Sequence, residues 1–200
     1  MRVVGVDDGS FRRDDRWAPV AAVAVAAPDR VEAIRLGRVR VDGRDATTEV
    51  LRLVRATGGL ESLHAVLLDG AVVGGFNVLD LDRLHRRLGV PIVAITRTRP
   101  EFPAIRAALT KWFPRDGSRR YELLRRHRLT PMPRPGPPLF LTAVGCRRVD
   151  AAQLIRRTVV RGHVPEPLRI AHLVASAAGS WSAEPNRRIM GPGARRPSGL

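Results

Sequence analysis

The residues best suited to chemistry are two aspartates, each closing an apolar run: Asp7 in "VVGVDDGSF" and Asp69 in "AVLLDG". Both runs have the character of buried strands, and in both a glycine follows the acidic end. Ligands of open α/β sheets collect at the carboxyl ends of the strands. Neighbouring strands lie about 4.8 Å apart, so if these two strands are adjacent their carboxylates enter one small volume. Such carboxylates repel, and one takes up a proton unless a cation sits between them. Hard oxygen donors of this kind suit Mg²⁺ or Mn²⁺. An aspartate before glycine also simply opens a turn; the same ending on two strands is what favours a shared site.

The surrounding elements must bring those strands together. Residues 2–6 read as a buried strand, with further short apolar runs at 20–26 and 31–41. Residues 45–56 change to helical spacing through Val50, Leu51 and Val54, with Asp45 or Thr47 able to cap. A strand at 64–68, a helix at 77–88, a strand at 90–96 and a helix at 100–113 follow. The stretch "RLTPMPRPGPPLF" reads as a proline-rich loop before a strand at 139–144, and helices close the chain at 150–159 and 167–178. Three strands, a helix, then alternating strand and helix predict an antiparallel meander followed by parallel strands. That is the ribonuclease H-like α/β architecture, a mixed sheet flanked by helices, with the first strand central and the fourth beside it. One domain over 1–179 is expected, with a flexible Arg/Pro/Gly-rich tail at 180–200 that is dispensable for folding.

Of the 200 residues, 44% are hydrophobic, which indicates a globular chain. The single cysteine, Cys146, rules out an internal disulfide and fits a reducing compartment. The apolar runs are far shorter than a bilayer span and the start lacks a secretory pattern, so a cytoplasmic location is expected. The formal charge of +16 points to a polyanionic partner, since cations placed on phosphates release counterions. Nearly all of that charge is arginine, with Lys111 the only lysine, which a GC-rich genome also produces on any surface.

The segments "VVGVDDGSF", "VDGRDAT", "LLDGAVVGGFNVLDLDRLHRRLGVPIVAITR" and "TVVRGHVPEPLRIAHLVAS" together resemble the endonuclease dU family, relatives of endonuclease V. The resemblance spans residues 2 to about 178. It implies a metal-dependent endonuclease of the ribonuclease H-like fold, hydrolysing a phosphodiester of DNA, with RNA the alternative, near a deaminated base such as deoxyuridine, in nucleic-acid repair. By the same resemblance Asp7 and Asp69 are metal ligands and Arg97 stands where endonuclease V carries a basic residue, able to stabilise charge on the phosphate. The middle carboxylate is Asp45, with Asp42 and Glu49 as neighbours that could serve instead. Asp45 is equally suited to capping the helix. Two features of endonuclease V are missing: a Pro-Tyr wedge has no equivalent between 41 and 60, and a histidine after a late strand aligns with Cys146.

Other residues carry weaker signals. Gly70, Phe76 and Asn77 border Asp69 in a glycine-rich loop. There, backbone can approach a ligand and Phe76 can stack on a base, or the loop can close by packing. In "PEPLRIAH", Glu166 and Arg169 are expected to lock a corner, with His172 structural. Asp8 could bind a second ion or cap the turn, and His85 is expected to pack. A monomer is favoured. Two other functions compete with the nuclease. One is a non-catalytic nucleic-acid-binding protein on a nuclease fold. The other is an actin-like or sugar-kinase phosphate loop at "GVDDGS", for which the chain is too short.

Overall fold

The computed structural model describes residues 1–133 and 138–183. One seven-stranded sheet carries the fold: β1 (Arg2–Asp8), β2 (Trp17–Ala26), β3 (Arg30–Arg40), β4 (Leu63–Asp69), β5 (Ile92–Thr96), β6 (Thr130–Met132) and β7 (Leu139–Val144), in the order β3-β2-β1-β4-β5-β7-β6. β1, β2 and β3 form the expected antiparallel meander, and β4 and β5 lie parallel to β1. The apolar runs of β1 and β4 are almost wholly buried because helices cover both faces of the sheet centre.

β7 departs from the expected parallel direction. It enters opposite Thr96 through Phe140 and leaves opposite Ile92 through Val144, so it runs antiparallel to β5. The cause is β6, which lies inside the segment read as a proline-rich loop and pairs antiparallel with β7. As an edge strand it tolerates Pro131, which has no N–H to donate. The remainder of that proline segment, 134–137, lies outside the described residues.

Six helices flank the sheet: α1 (Ala46–Ala56), α2 (Leu81–Leu88), α3 (Phe102–Trp112), α4 (Gly117–Arg125), α5 (Arg148–Thr158) and α6 (Glu166–Ala183). α1 and α2 bury Val50, Leu53, Val54 and Leu84 against Val4, Val6 and Val66 on one face. α5 and α6 bury Ala151, Ile155 and Leu168 against Val3, Leu67 and Val93 on the other. α2 starts at Asp80, whose carboxylate caps the Arg83 N–H, so residues 77–80 are loop rather than helix. α4 has no counterpart in the sequence reading. α6 runs beyond the expected tail boundary at 180, and 184–200 lie outside the described residues.

α6 sits unusually close to β1 because glycine lets it. A methyl group added at Gly5 would collide with the Pro167 carbonyl, and one at Gly9 with the Ala175 carbonyl. From Pro167 to Ala175 the helix rises about 12 Å at 1.5 Å per residue. From Gly5 to Gly9 the strand spans about 13 Å at 3.3 Å per residue. The two elements therefore run side by side, in register, over the end of β1. Gly5→Ala should cost about 1–3 kcal/mol by overpacking. At roughly 2–4 °C per kcal/mol for a chain of this size, a thermal melt would show the loss. An unchanged melting temperature would mean the helix contact is not tight.

Candidate active site

Asp7 closes β1 opposite Ala21 of β2, and Asp69 closes the adjacent β4 one position past the Val6–Leu68 pair. Side chains alternate along a strand. Asp7 therefore shares its face with Val3, and Asp69 with Leu67, both on the side covered by α5 and α6. The expectation from sequence, two carboxylates at the ends of adjacent strands, describes this arrangement.

Asp7 is 5% exposed. Burial, followed by the charges of Asp69 and Asp8, pushes its carboxyl up from 3.8 to about 8. Asp69 is also raised by burial, against the opposing pull of Arg97 and His172. Asp8 is raised by burial as well, but its carboxylate has a structural partner: it accepts from the Gly74 N–H at 2.6 Å. That bond ties the glycine loop to the end of β1.

His172 is the residue that sequence reasoning missed. Its Nδ1 lies 2.9 Å from Asp7 Oδ2, at hydrogen-bond distance. α6 delivers it: Leu168, Ala171 and Ala175 are buried on the sheet, and His172 emerges between them beside β1. The spacing of small and apolar residues around a histidine in "LRIAHLVA" is the available signal. Glu166 and Arg169 pair at 2.8 Å at the start of the same helix, as a corner lock should.

Arg97, just past the end of β5, places its guanidinium 3.4 Å from Asp69 Oδ2 while remaining largely exposed. Its partner among the described residues is Asp69.

The middle carboxylates lie elsewhere. Asp45 accepts from the Asn77 side chain at 2.6 Å and faces the Arg40 N–H, and the charges acting on Asp7 are those of Asp69 and Asp8. Asp42, held at φ 56°, accepts from the Phe76 N–H, and Glu49 pairs with Arg52. Asp45 thus stands at the join between β3, α1 and the glycine loop, with its carboxylate hydrogen-bonded there. Asn77 is likewise fully buried, with its amide spent on Ala46, Arg40 and Asp45. It supports the loop from beneath.

Gly70 and Phe76 do reach an open space. Together with Ile95, Thr96, Phe102 and Thr142 they line a cavity of about 190 Å³ next to Asp69. Phe76 packs edge-on against Phe113, which fixes its ring at that wall. Cys146 is far from this end of the sheet, because β7 leaves at the amino end of β5; it borders His64 and Asp150 instead.

The donors fit a hard divalent cation. Asp7 is buried and Asp69 half-buried, and the two are mutually repelling oxygen donors, with Arg97 only at the rim. Among the described residues no three His, Cys, Asp or Glu side chains form a complete metal cage. Mg²⁺ needs none, since it is commonly held by one or two carboxylates, water and substrate phosphate.

A pH effect follows. The unfolded chain releases the Asp7 proton near 3.8, whereas the folded chain holds it to about 8. Between those values the folded state binds more protons, so this group's stabilising contribution is complete in acid and is lost as pH rises through about 8. In EDTA, the melting temperature should fall from about pH 5 to pH 8, and Asp7→Asn should flatten that fall. Equal slopes in both proteins would contradict the assignment.

Comparison with known proteins bears on the fold and the family. The sheet and its flanking helices form a ribonuclease H-like fold. Its solved neighbours include Ciona intestinalis endonuclease V in complex with DNA containing an inosine followed by a ribo-adenosine. That likeness has a TM-score of 0.62 and 14% identity, over 90% of this chain and 86% of the other. A protein of unknown function from Archaeoglobus fulgidus matches with a TM-score of 0.78 and 29% identity, over 88% and 97%. A UPF0215 protein of Thermococcus gammatolerans is 37% identical, over 88% of this chain and 91% of its own. The family model for endonuclease dU matches residues 1–179, and the chain belongs to that family.

Proposed function

We propose that the protein is a cytoplasmic, divalent-metal-dependent endonuclease that hydrolyses a phosphodiester of DNA beside a deaminated base such as deoxyuridine, in nucleic-acid repair. The observation that carries this reading is the pairing of Asp7 and Asp69 on one face of adjacent strands, with His172 and Arg97 on either side. Family membership supports it.

Asp7 and Asp69 would hold the ion, which when bound lowers the pKa of attacking water and offsets charge on the phosphate. His172 orients the Asp7 carboxylate, keeping one oxygen fixed. Arg97 is cationic and open to solvent, so it can meet the phosphate oxygens as negative charge builds on them. The cavity bordered by Gly70 and Phe76 suits a flipped base: an apolar cavity of about 150 Å³ accepts benzene, and damaged bases leave the stack at least cost.

Labelled oligonucleotides containing uracil, hypoxanthine or xanthine, incubated with Mg²⁺, Mn²⁺ or EDTA, test the reading. Metal-dependent incision near one of these bases is expected. Binding without incision under every condition would leave the non-catalytic nucleic-acid-binding protein in its place.

A further inference from the structure

Trp17 opens β2 with three guanidinium groups around its ring. The carbons of Arg38, Arg40 and Arg16 lie 4.6, 5.5 and 5.6 Å from the ring centre. Arg40 is the cross-strand partner of Trp17, and Arg38 that of Pro19. Among the described residues none of the three forms an ion pair with a carboxylate. The acids nearby are engaged: Glu49 with Arg52 at 2.6 Å, and Asp15 with the Arg12 N–H at 2.6 Å. Three guanidinium groups gathered on one ring, none of them ion-paired among the described residues, suit an anion from outside.

The cluster borders a groove of about 810 Å³ between β3 and the far end of α6, with Pro19, Leu36 and Gly179 along it. Trp17 has the same strand parity as Ala21, the residue opposite Asp7, so it lies on the same face of the sheet. Four residues along β2 amount to roughly 13 Å. A strand whose phosphate lies at Asp7 and Asp69 would reach the groove within a few nucleotides.

We infer that Trp17, Arg16, Arg38 and Arg40 form a second contact for the substrate, binding the single-stranded flank of a nucleic acid on one side of the reacting phosphate. The ring stacks on a base and the guanidinium groups hold the adjoining phosphates. This deepens the nuclease reading, on which it rests for the path of the strand.

Fluorescence anisotropy in EDTA tests it without cleavage. The probes are a single-stranded deoxyuridine oligonucleotide extending about eight nucleotides each way and two versions trimmed to two nucleotides on one side or the other. Stacking on an aromatic ring contributes about 1–3 kcal/mol per base, so Trp17→Ala should weaken the long strand roughly 5- to 150-fold. It should leave unchanged the binding of whichever trimmed strand lacks the flank. Trp17→Phe should recover most of the loss. Should Trp17→Ala fail to fold, Arg38→Gln with Arg40→Gln decides the matter, expected to reduce the salt dependence of binding by about two ion equivalents. Affinity that is independent of both substitutions, or equal losses for all three strands, would overturn the inference. Trp17-dependent binding in a protein that cuts nothing would sustain it while removing the nuclease reading. Cleavage with unaltered binding in Trp17→Ala would do the reverse.

Discussion

Asp69→Asn leaves the chain folded and reduces cleavage to background. The amide keeps the shape of the carboxyl and removes its charge, so the apolar run of β4 packs as before. What disappears is half of the oxygen pair at the ends of β1 and β4. With that charge gone, Asp7 loses its strongest charged opponent, so its carboxyl should come down toward the ordinary range. The folded state should therefore be as stable as the wild type or more stable at pH 8. This pairing of outcomes separates a site residue from a structural one, because a structural aspartate would lose stability and activity together. Circular dichroism melts and a cleavage assay on the same sample would read both. Full activity in the variant would remove the metal site from the account.

Arg97→Ala lowers the single-turnover rate by about two to three orders of magnitude, the effect of removing one preorganised group from a developing charge. Its cation matters most as the water attacks and the phosphate oxygens gain charge, so the loss should fall on the rate more than on affinity. The chain carries a formal charge of +16, and one arginine among so many contributes little to ground-state binding. Arg97→Lys should recover part of the rate, since a point charge lacks the guanidinium fork. Arg97 is exposed and its only ion pair among the described residues is the 3.4 Å contact with Asp69, so neither change threatens the fold. A normal rate in Arg97→Ala at saturating enzyme would exclude it from the site.

The parts of this site that can be read from sequence are those set by local pattern. Asp7 and Asp69 each end a buried strand, and burial plus strand order brings them together. Arg97 is legible only through the resemblance to endonuclease V, as the basic residue that ends "IVAITR". His172 is not, because its contact with Asp7 spans 165 positions and depends on Gly5 and Gly9 admitting α6 against β1. Asp45 is ambiguous in sequence because a carboxylate before a helix looks alike whether it caps, binds metal or receives a buried asparagine 32 residues away. The direction of β7 and the existence of β6 were hidden by Pro131, which reads as loop wherever an edge strand is not anticipated. α4, "GSRRYELLR", is short and charged, with too weak an apolar stripe to declare itself.

Titration of Mn²⁺ into the wild type and into Asp7→Asn and Asp69→Asn, followed by calorimetry at pH 8, tests the shared ion most directly. The account predicts one saturable site in the wild type, with proton release as the raised carboxyls ionise, and loss of that site in each single variant. Equal binding by all three proteins would contradict it.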